Sequence, residues 1–248
     1  MRIMRTLLCA LSFAAQFHLL SAQYTMKVWR NGWVTSSTPT AEIDSVIFEP
    51  SHLINGHNFI DLGLPSGLLW AETNIGAETA ADGGCYFAWG ETTIKSTHYL
   101  TNYEYRRLRS GVYYYSTNGK TVLDNADDAA YTNWGNSCRM PTKAEFEELL
   151  NSDNCTWTWT SMKNSSGNSI KGYKITSKRN GNSIFLPASG SHDEDYFNKY
   201  DTSGFYWSST LNTSKIEMAY HIYFDKSYHF TNSGERYVGF PVRPVAEP

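Results

Sequence analysis

Asp61-Leu62-Gly63-Leu64-Pro65-Ser66-Gly67-Leu68-Leu69-Trp70 opens a series of short Gly/Pro/Trp blocks that organises most of this chain. Tyr86-Phe87-Ala88-Trp89-Gly90-Glu91-Thr92 follows, then Trp134-Gly135, Arg139-Met140-Pro141-Thr142 and Ile184-Phe185-Leu186-Pro187-Ala188. The series closes with Gly204-Phe205-Tyr206-Trp207-Ser208-Ser209-Thr210 and Val242-Arg243-Pro244-Val245. Polar loops of varied length separate the blocks, and strand signals dominate around them. Thr156-Trp157-Thr158-Trp159-Thr160 alternates, which puts both Trp rings on one face of a strand. Segments 170–176 and 183–186 flank Arg179-Asn180-Gly181-Asn182, a hairpin turn. Segments 205–208, 219–224, 228–231 and 236–242 complete an antiparallel set. One helix is clear: Pro141 precedes it, Thr142 and Glu145 form a capping box, and Phe146, Leu149 and Leu150 make its apolar stripe. A shorter helix is expected from Asp124 to Tyr131, its N-terminus favoured by Asp124, Asp127 and Asp128. Antiparallel hairpins with one or two short helices read as α+β.

Working outward, the N-terminus has the pattern of a secretory signal peptide over residues 1–22. Arg2 and Arg5 give a positive n-region, residues 7–15 are apolar, and Leu20-Ser21-Ala22 offers a cleavage site. Export is therefore expected, to the periplasm, the cell surface or the medium. Residues 23–57 read as a β-hairpin appendage and linker. Asn31-Gly32 sits between Met26-Lys27-Val28-Trp29 and Trp33-Val34-Thr35, a type I′ signal. A further strand is expected at 43–48, and His52 to His57 as a connecting turn. The main domain is expected over 58–248. No later stretch approaches about 18 continuous apolar residues, so no transmembrane span is expected. Cleavage removes two arginines and no acid, leaving 19 basic against 24 acidic residues. That balance argues against a nucleic-acid partner. Arg106-Arg107-Leu108-Arg109 is the only basic cluster and reads as a solvated strand or loop edge. An aromatic content of 15% suits a loop-rich domain with a core of large rings.

The ordered blocks, from about Asn58 to Val245, resemble the secreted bacterial major paralogous domain (FISUMP), a branch of the C-type lectin-like and sulfatase-modifying-factor fold. The resemblance implies a C-type lectin-like domain preceded by the hairpin appendage. It does not carry over the calcium-dependent sugar site of the lectins. Their Glu-Pro-Asn or Gln-Pro-Asp loop and Trp-Asn-Asp strand have no counterpart here. Segment 139–147 looks like a block of the formylglycine-generating enzymes, whose chemistry needs a cysteine pair near the C-terminus. This chain has no cysteine after Cys155. The same resemblance implies a disulfide between Cys85 and Cys138, because both stand where the related domains carry other residues. Such a bridge would stabilise the fold by roughly 4 kcal/mol through loop closure.

The leading expectation is a non-catalytic binding or adhesion module that recognises a glycan or protein ligand through its loops. A diverged enzyme of the formylglycine-generating type and a structural cell-surface component are the alternatives. No metal and no cofactor are expected, and no nucleophilic triad is supported. Within the related fold, ligands usually meet a long loop region that maps to Ser191–Ser203 here. Asp193, Asp195, Tyr196, Tyr200 and Asp201 are therefore the candidate ligand-binding residues. A second candidate is the segment from Tyr99 to Tyr115. It carries Tyr103, Tyr105, Tyr113, Tyr114 and Tyr115 with three arginines, either as exposed rings for a partner or as ring pairs supporting their own hairpin.

Overall fold

The computed structural model of the chain describes residues 25–30, 33–40, 52–116 and 119–248. The chain divides into two units, residues 1–50 and 51–248. In the first, Thr25–Arg30 pairs antiparallel with Trp33–Pro39, with a register shift between Val28 and Trp29. The Asn31-Gly32 turn, the expected strand at 43–48 and the signal segment 1–22 lie outside the described residues.

The second unit begins with a hairpin where the sequence suggested a connecting turn. His52–Ile54 pairs with His57–Asp61. The joining residues Asn55 and Gly56 take φ of 50° and 85°, the positive values a two-residue type I′ turn needs. The hairpin leads into a five-stranded sheet, continued by Leu69–Ala71, Val245–Ala246 and Cys138–Arg139. Val245 lies opposite Trp70 on one side and Arg139 on the other. Three of the sequence blocks thus meet in one sheet.

Two antiparallel three-stranded sheets make up most of the rest. One contains Cys155–Lys163, Ser169–Ser177 and Ser183–Pro187. The other contains Ser203–Leu211, Met218–Asp225 and His229–Glu235. The unit is α+β and mainly antiparallel β. Successive side chains of a strand face opposite ways, so Ser203–Leu211 feeds two cores at once. Tyr206 joins Leu62, Trp70, Phe146, Ile222 and Phe224, while Trp207 joins Phe59, Trp89, Trp134 and Phe240. The expected strand at 236–242 shrinks to Phe240–Pro241, paired with Tyr86–Phe87. The chain turns at Arg236 and carries that side chain into the interior.

Helix α1 covers Ala129–Trp134 and α2 covers Lys143–Leu150. The α2 start follows from local chemistry. Thr142 accepts from the Glu145 amide at 3.3 Å, and Glu145 accepts from the Thr142 amide at 2.7 Å. Phe146 and Leu149 are buried. Helix α1 starts later than the acidic run suggested. Asp128 is its N-cap, accepting from Ala130 and Tyr131 at 2.8 and 3.0 Å with one oxygen and from Met140 at 2.8 Å with the other. Asp124 and Asp127 both pair with Lys120, outside the helix.

The expected Cys85–Cys138 disulfide is not formed: Cys85, Cys138 and Cys155 are all free thiols. Cys85 Sγ occupies the space beside Gly76, where a Cβ would come within 2.2 Å of it. Cys138 is buried in the aromatic core and engages the Asn55 side chain. Cys85 packs against the same cluster that contains Cys138, yet no bond joins them, since the Cys85 sulfur is turned into the space beside Gly76.

Candidate functional site

Segment 190–203 is not a featureless loop. Ser191–Asp193 and Tyr196–Asn198 form a hairpin, with His192 opposite Phe197 and Asp193 opposite Tyr196. Entry to the hairpin depends on Gly190, at φ 67°, where a Cβ would lie 2.2 Å from the Asn198 carbonyl. Neighbouring segments hold the hairpin on two sides. His98 and Glu194 exchange backbone hydrogen bonds at 3.0 and 3.1 Å, and His192 and Gly239 exchange two at 2.8 Å.

Beneath the hairpin lie two buried imidazoles. His98 Nδ1 and His192 Nδ1 are 2.8 Å apart. At that distance one ring carries its proton on Nδ1 and donates, and the other accepts. The His98 ring packs flat on Gly239, where a Cβ would come within 2.7 Å of it. Burial lowers both pKa values, that of His98 to about 4. The pair is therefore neutral at pH 7 and serves as packing.

On the outer side, Phe197 rests edge-on against His192 at 4.5 Å and against Tyr86 at 5.2 Å. Gly83, Gly84, Tyr86, Phe197 and Tyr200 line an open cleft of about 480 Å³. Tyr86 is fixed by donating its hydroxyl to the Ser189 carbonyl at 2.6 Å, and burial raises its pKa. Gly84 takes φ 72°, and a Cβ there would lie 2.4 Å from the Ile75 carbonyl. The floor of the cleft is thus bare backbone, and its walls are rings. Phe197 is 60% exposed and Tyr200 47%.

The five candidate residues separate. Tyr200 lines the cleft. Tyr196 is 68% exposed, but strand alternation sets it on the hairpin face opposite Phe197. Asp195 accepts from the Tyr99 hydroxyl, and that bond pushes the Tyr99 pKa up to about 12. Asp193 is half-buried, with one carboxylate oxygen enclosed and unpartnered among the described residues. Asp201 accepts from the Lys171 amide at 2.7 Å and pairs with its ammonium at 3.1 Å. Asp195 and Asp201 have different partners, Asp193 has none for its enclosed oxygen, and no group of three or more such ligands among the described residues is placed to hold a metal ion.

Three rings of the second candidate segment, Tyr103, Tyr105 and Tyr115, turn inward. Arg106–Arg109 pairs with Val112–Tyr115. The buried Arg236 guanidinium lies over the rings of Trp89, Tyr103, Tyr105 and Tyr115, at 4.7, 5.4, 5.6 and 5.6 Å from their centres. It donates to the Ser116 and Ile216 carbonyls. Exposed rings for a partner are therefore not what Tyr103, Tyr105 and Tyr115 provide. The side chains of Tyr113 and Tyr114 lie outside the described residues.

Sequence reasoning missed Gly83, Gly84, Tyr86 and Phe197. Gly83-Gly84 was the one available signal, since paired glycines mark a close approach or an unusual φ. No family model, curated protein or solved structure matches the chain.

Proposed function

We propose that this chain is an exported, non-catalytic binding or adhesion module, built on a C-type lectin-like domain of the major paralogous type. Its ligand is a glycan or a protein, met by the face that carries the 191–198 hairpin and the cleft beside it. The observation that carries this reading is the cleft: exposed Phe197 and Tyr200 beside a fixed Tyr86, over a glycine floor. Exposed aromatic anchors on a rigid base are how recognition surfaces concentrate affinity. The blocks that carry the family resemblance supply core residues, among them Trp70, Trp89, Leu186 and Trp207. That division, core blocks inside and an exposed aromatic hairpin outside, suits a scaffold with grafted recognition.

A glycan and host-protein array probed with residues 23–248 tests the proposal. Phe197→Ala and Tyr200→Ala are each expected to weaken a captured ligand about tenfold or more, since an anchoring ring contributes ~1.4 kcal/mol or more. Tyr196→Ala, on the opposite face, is expected to do less. Full affinity in both cleft variants, with the fold intact, would move the site elsewhere.

The thiols support the non-catalytic part. Burial raises the pKa of Cys85 and Cys138, and that of Cys155 to about 11. Thiolate, the form that attacks substrates and binds copper, is then scarce at neutral pH. The native protein is expected to react with a thiol-selective disulfide reagent far more slowly than the unfolded chain. It is also expected to form no aldehyde on a sulfatase-motif peptide when supplied with copper. Aldehyde formation would overturn the non-catalytic assignment.

A further inference from the structure

We propose that His98 and His192 form a proton-sensitive latch: paired at neutral pH they hold the 191–198 hairpin down, and acidification frees the hairpin and dismantles the cleft beside it. This rests on the reading of that face as the recognition surface and gives it a control. The two histidines stand where the hairpin is fastened to its neighbours. His98 exchanges backbone hydrogen bonds with Glu194, and His192 exchanges them with Gly239. Their imidazoles meet Nδ1 to Nδ1 at 2.8 Å. That contact needs one bare nitrogen and one N–H. A proton on both nitrogens turns the bond into two N–H groups pointing at each other, in a place where His98 is 1% exposed and His192 6%.

Little else holds the hairpin. Of residues 191–200, only Ser191 and His192 are buried. Glu194 and Lys199 take φ of 55° and 57°, and Asp201 takes 58°, a left-handed conformation that non-glycine residues adopt at a cost. One carboxylate oxygen of Asp193 is enclosed without a partner among the described residues, and opening gives it water. Segments with few buried contacts open locally, before the whole fold does. Phe197 is the hairpin's contribution to the cleft, and it rests on His192 and Tyr86. Once His192 withdraws, the cleft loses that wall.

The surrounding charges leave the latch to burial, which is the largest influence on both rings and opposes their protonation. At His98 it is reinforced by His192 and then by Lys95, itself paired with Glu91. The Tyr86 backbone acts the other way on His98, without completing a hydrogen bond to the enclosed Nε2. Asp195 and Asp193 do the same on His192. Glu194 bears on Tyr99 and Tyr237. Tyr86, Tyr99 and Tyr237 have raised pKa values and stay neutral. Both rings thus titrate below the ~6.5 of a free histidine, so the closed hairpin is fully favoured above that pH and loses ground as pH falls towards 4.

Amide hydrogen exchange of residues 23–248 at pH 7 and pH 5, corrected for the intrinsic pH dependence of exchange, tests this at the amides of His98, His192, Glu194 and Gly239. One freed histidine raises the opening constant about 25-fold over that range, and two raise it about 600-fold. A rise above about 25-fold is expected, at an opening constant well above that of the slowest amides of the three-stranded sheets. A smaller rise, or opening only together with those sheets, overturns the proposal. His98→Phe keeps a ring on Gly239 and is expected to bring the rise to about 25-fold or below. A rise equal to the wild type's overturns the proposal too. Should that variant stand open at pH 7, the wild-type rise decides alone. If array ligands depend on Phe197 and Tyr200 at pH 7 while the hairpin stays closed at pH 5, the recognition face stands and the latch falls. If the hairpin opens while those ligands are indifferent to both substitutions, the latch stands and the reading of the face falls.

Discussion

Acidification from about pH 7 to pH 4 is expected to remove several kcal/mol from the stability of the 51–248 unit. His98 and His221 are both buried, and burial lowers each pKa to about 4. In the unfolded chain each titrates near 6.5. Above that value both states are deprotonated and the histidine contribution to stability is complete. As pH falls from 6.5 towards 4 the unfolded chain takes up protons that the folded chain refuses, so stability falls. The loss is ~3 kcal/mol per histidine over that window. His192 shifts in the same direction. A second proton on the His98–His192 pair would also set two Nδ1–H groups against each other at 2.8 Å. Glu91 and Asp128 oppose the trend, because burial raises their pKa values. Their raised values favour the folded state at low pH and soften the drop near pH 4. Urea midpoints across this range measure the effect. His221→Phe is expected to reduce the slope by about one proton, since His221 already sits among Phe205, Trp207 and Phe240. A midpoint unchanged between pH 7 and pH 5 would contradict the assignment of these histidines as buried and neutral.

Arg243→Leu is expected to cost at least about 4 kcal/mol, enough to unfold a domain of ordinary stability. Arg243 is fully buried, and none of the ion pairs among the described residues involves it. Its Nε donates to Asn74 Oδ1 at 2.8 Å. Nη1 reaches the Ala71 and Glu72 carbonyls at 3.0 and 2.8 Å, and Nη2 the Phe185 carbonyl at 3.0 Å. One guanidinium thereby ties the end of the central strand of the five-stranded sheet, Leu69–Ala71, to strand Ser183–Pro187. Burial lowers its pKa to about 10, which leaves it charged at pH 7. Leucine removes all four donors, and each buried acceptor left without a partner costs ~1–3 kcal/mol. Arg243→Lys keeps the charge but loses the planar fork, and should fall between the two. Urea unfolding gives the order directly. A loss below about 2 kcal/mol for Leu would show that water replaces the guanidinium.

The sequence disclosed what is local. The α2 capping box involves residues three apart, and the Trp157 and Trp159 alternation needs only strand geometry. The hairpin around Asn180-Gly181 is likewise fixed by its own residues. What stayed hidden depends on distant partners. The burial of Arg243 and Arg236 is one case, because their carbonyl and ring partners lie up to 172 positions away in sequence. His98 and His192 are 94 positions apart, and the cleft joins residues near 84 to residues near 198. The start of α1 was misjudged for a different reason. Three acids in a row of turns all suit a helix N-terminus, and only the pairing of two of them with Lys120 singles out Asp128 as the cap. At the proposed site the sequence pointed to the 191–203 segment and to Tyr200. It missed the glycine floor and the two rings that complete the walls.

The four rings stacked around Arg236 have a consequence for how this protein can change. Tyr103 and Tyr105 close on that guanidinium from one end of their segment and Tyr115 from the other, so both stems of the hairpin are anchored in the interior. Between them the backbone reverses at Ser110 and Gly111, with Leu108 and its neighbours in solvent. Lengthening a loop whose ends are already fixed adds little entropy cost, ~0.6 kcal/mol per doubling. The tip at 107–111 is therefore a natural graft point. Foreign peptide inserted there, an epitope or an affinity tag, should be displayed without disturbing the sheets below, and related chains can diverge there in length while keeping the same core.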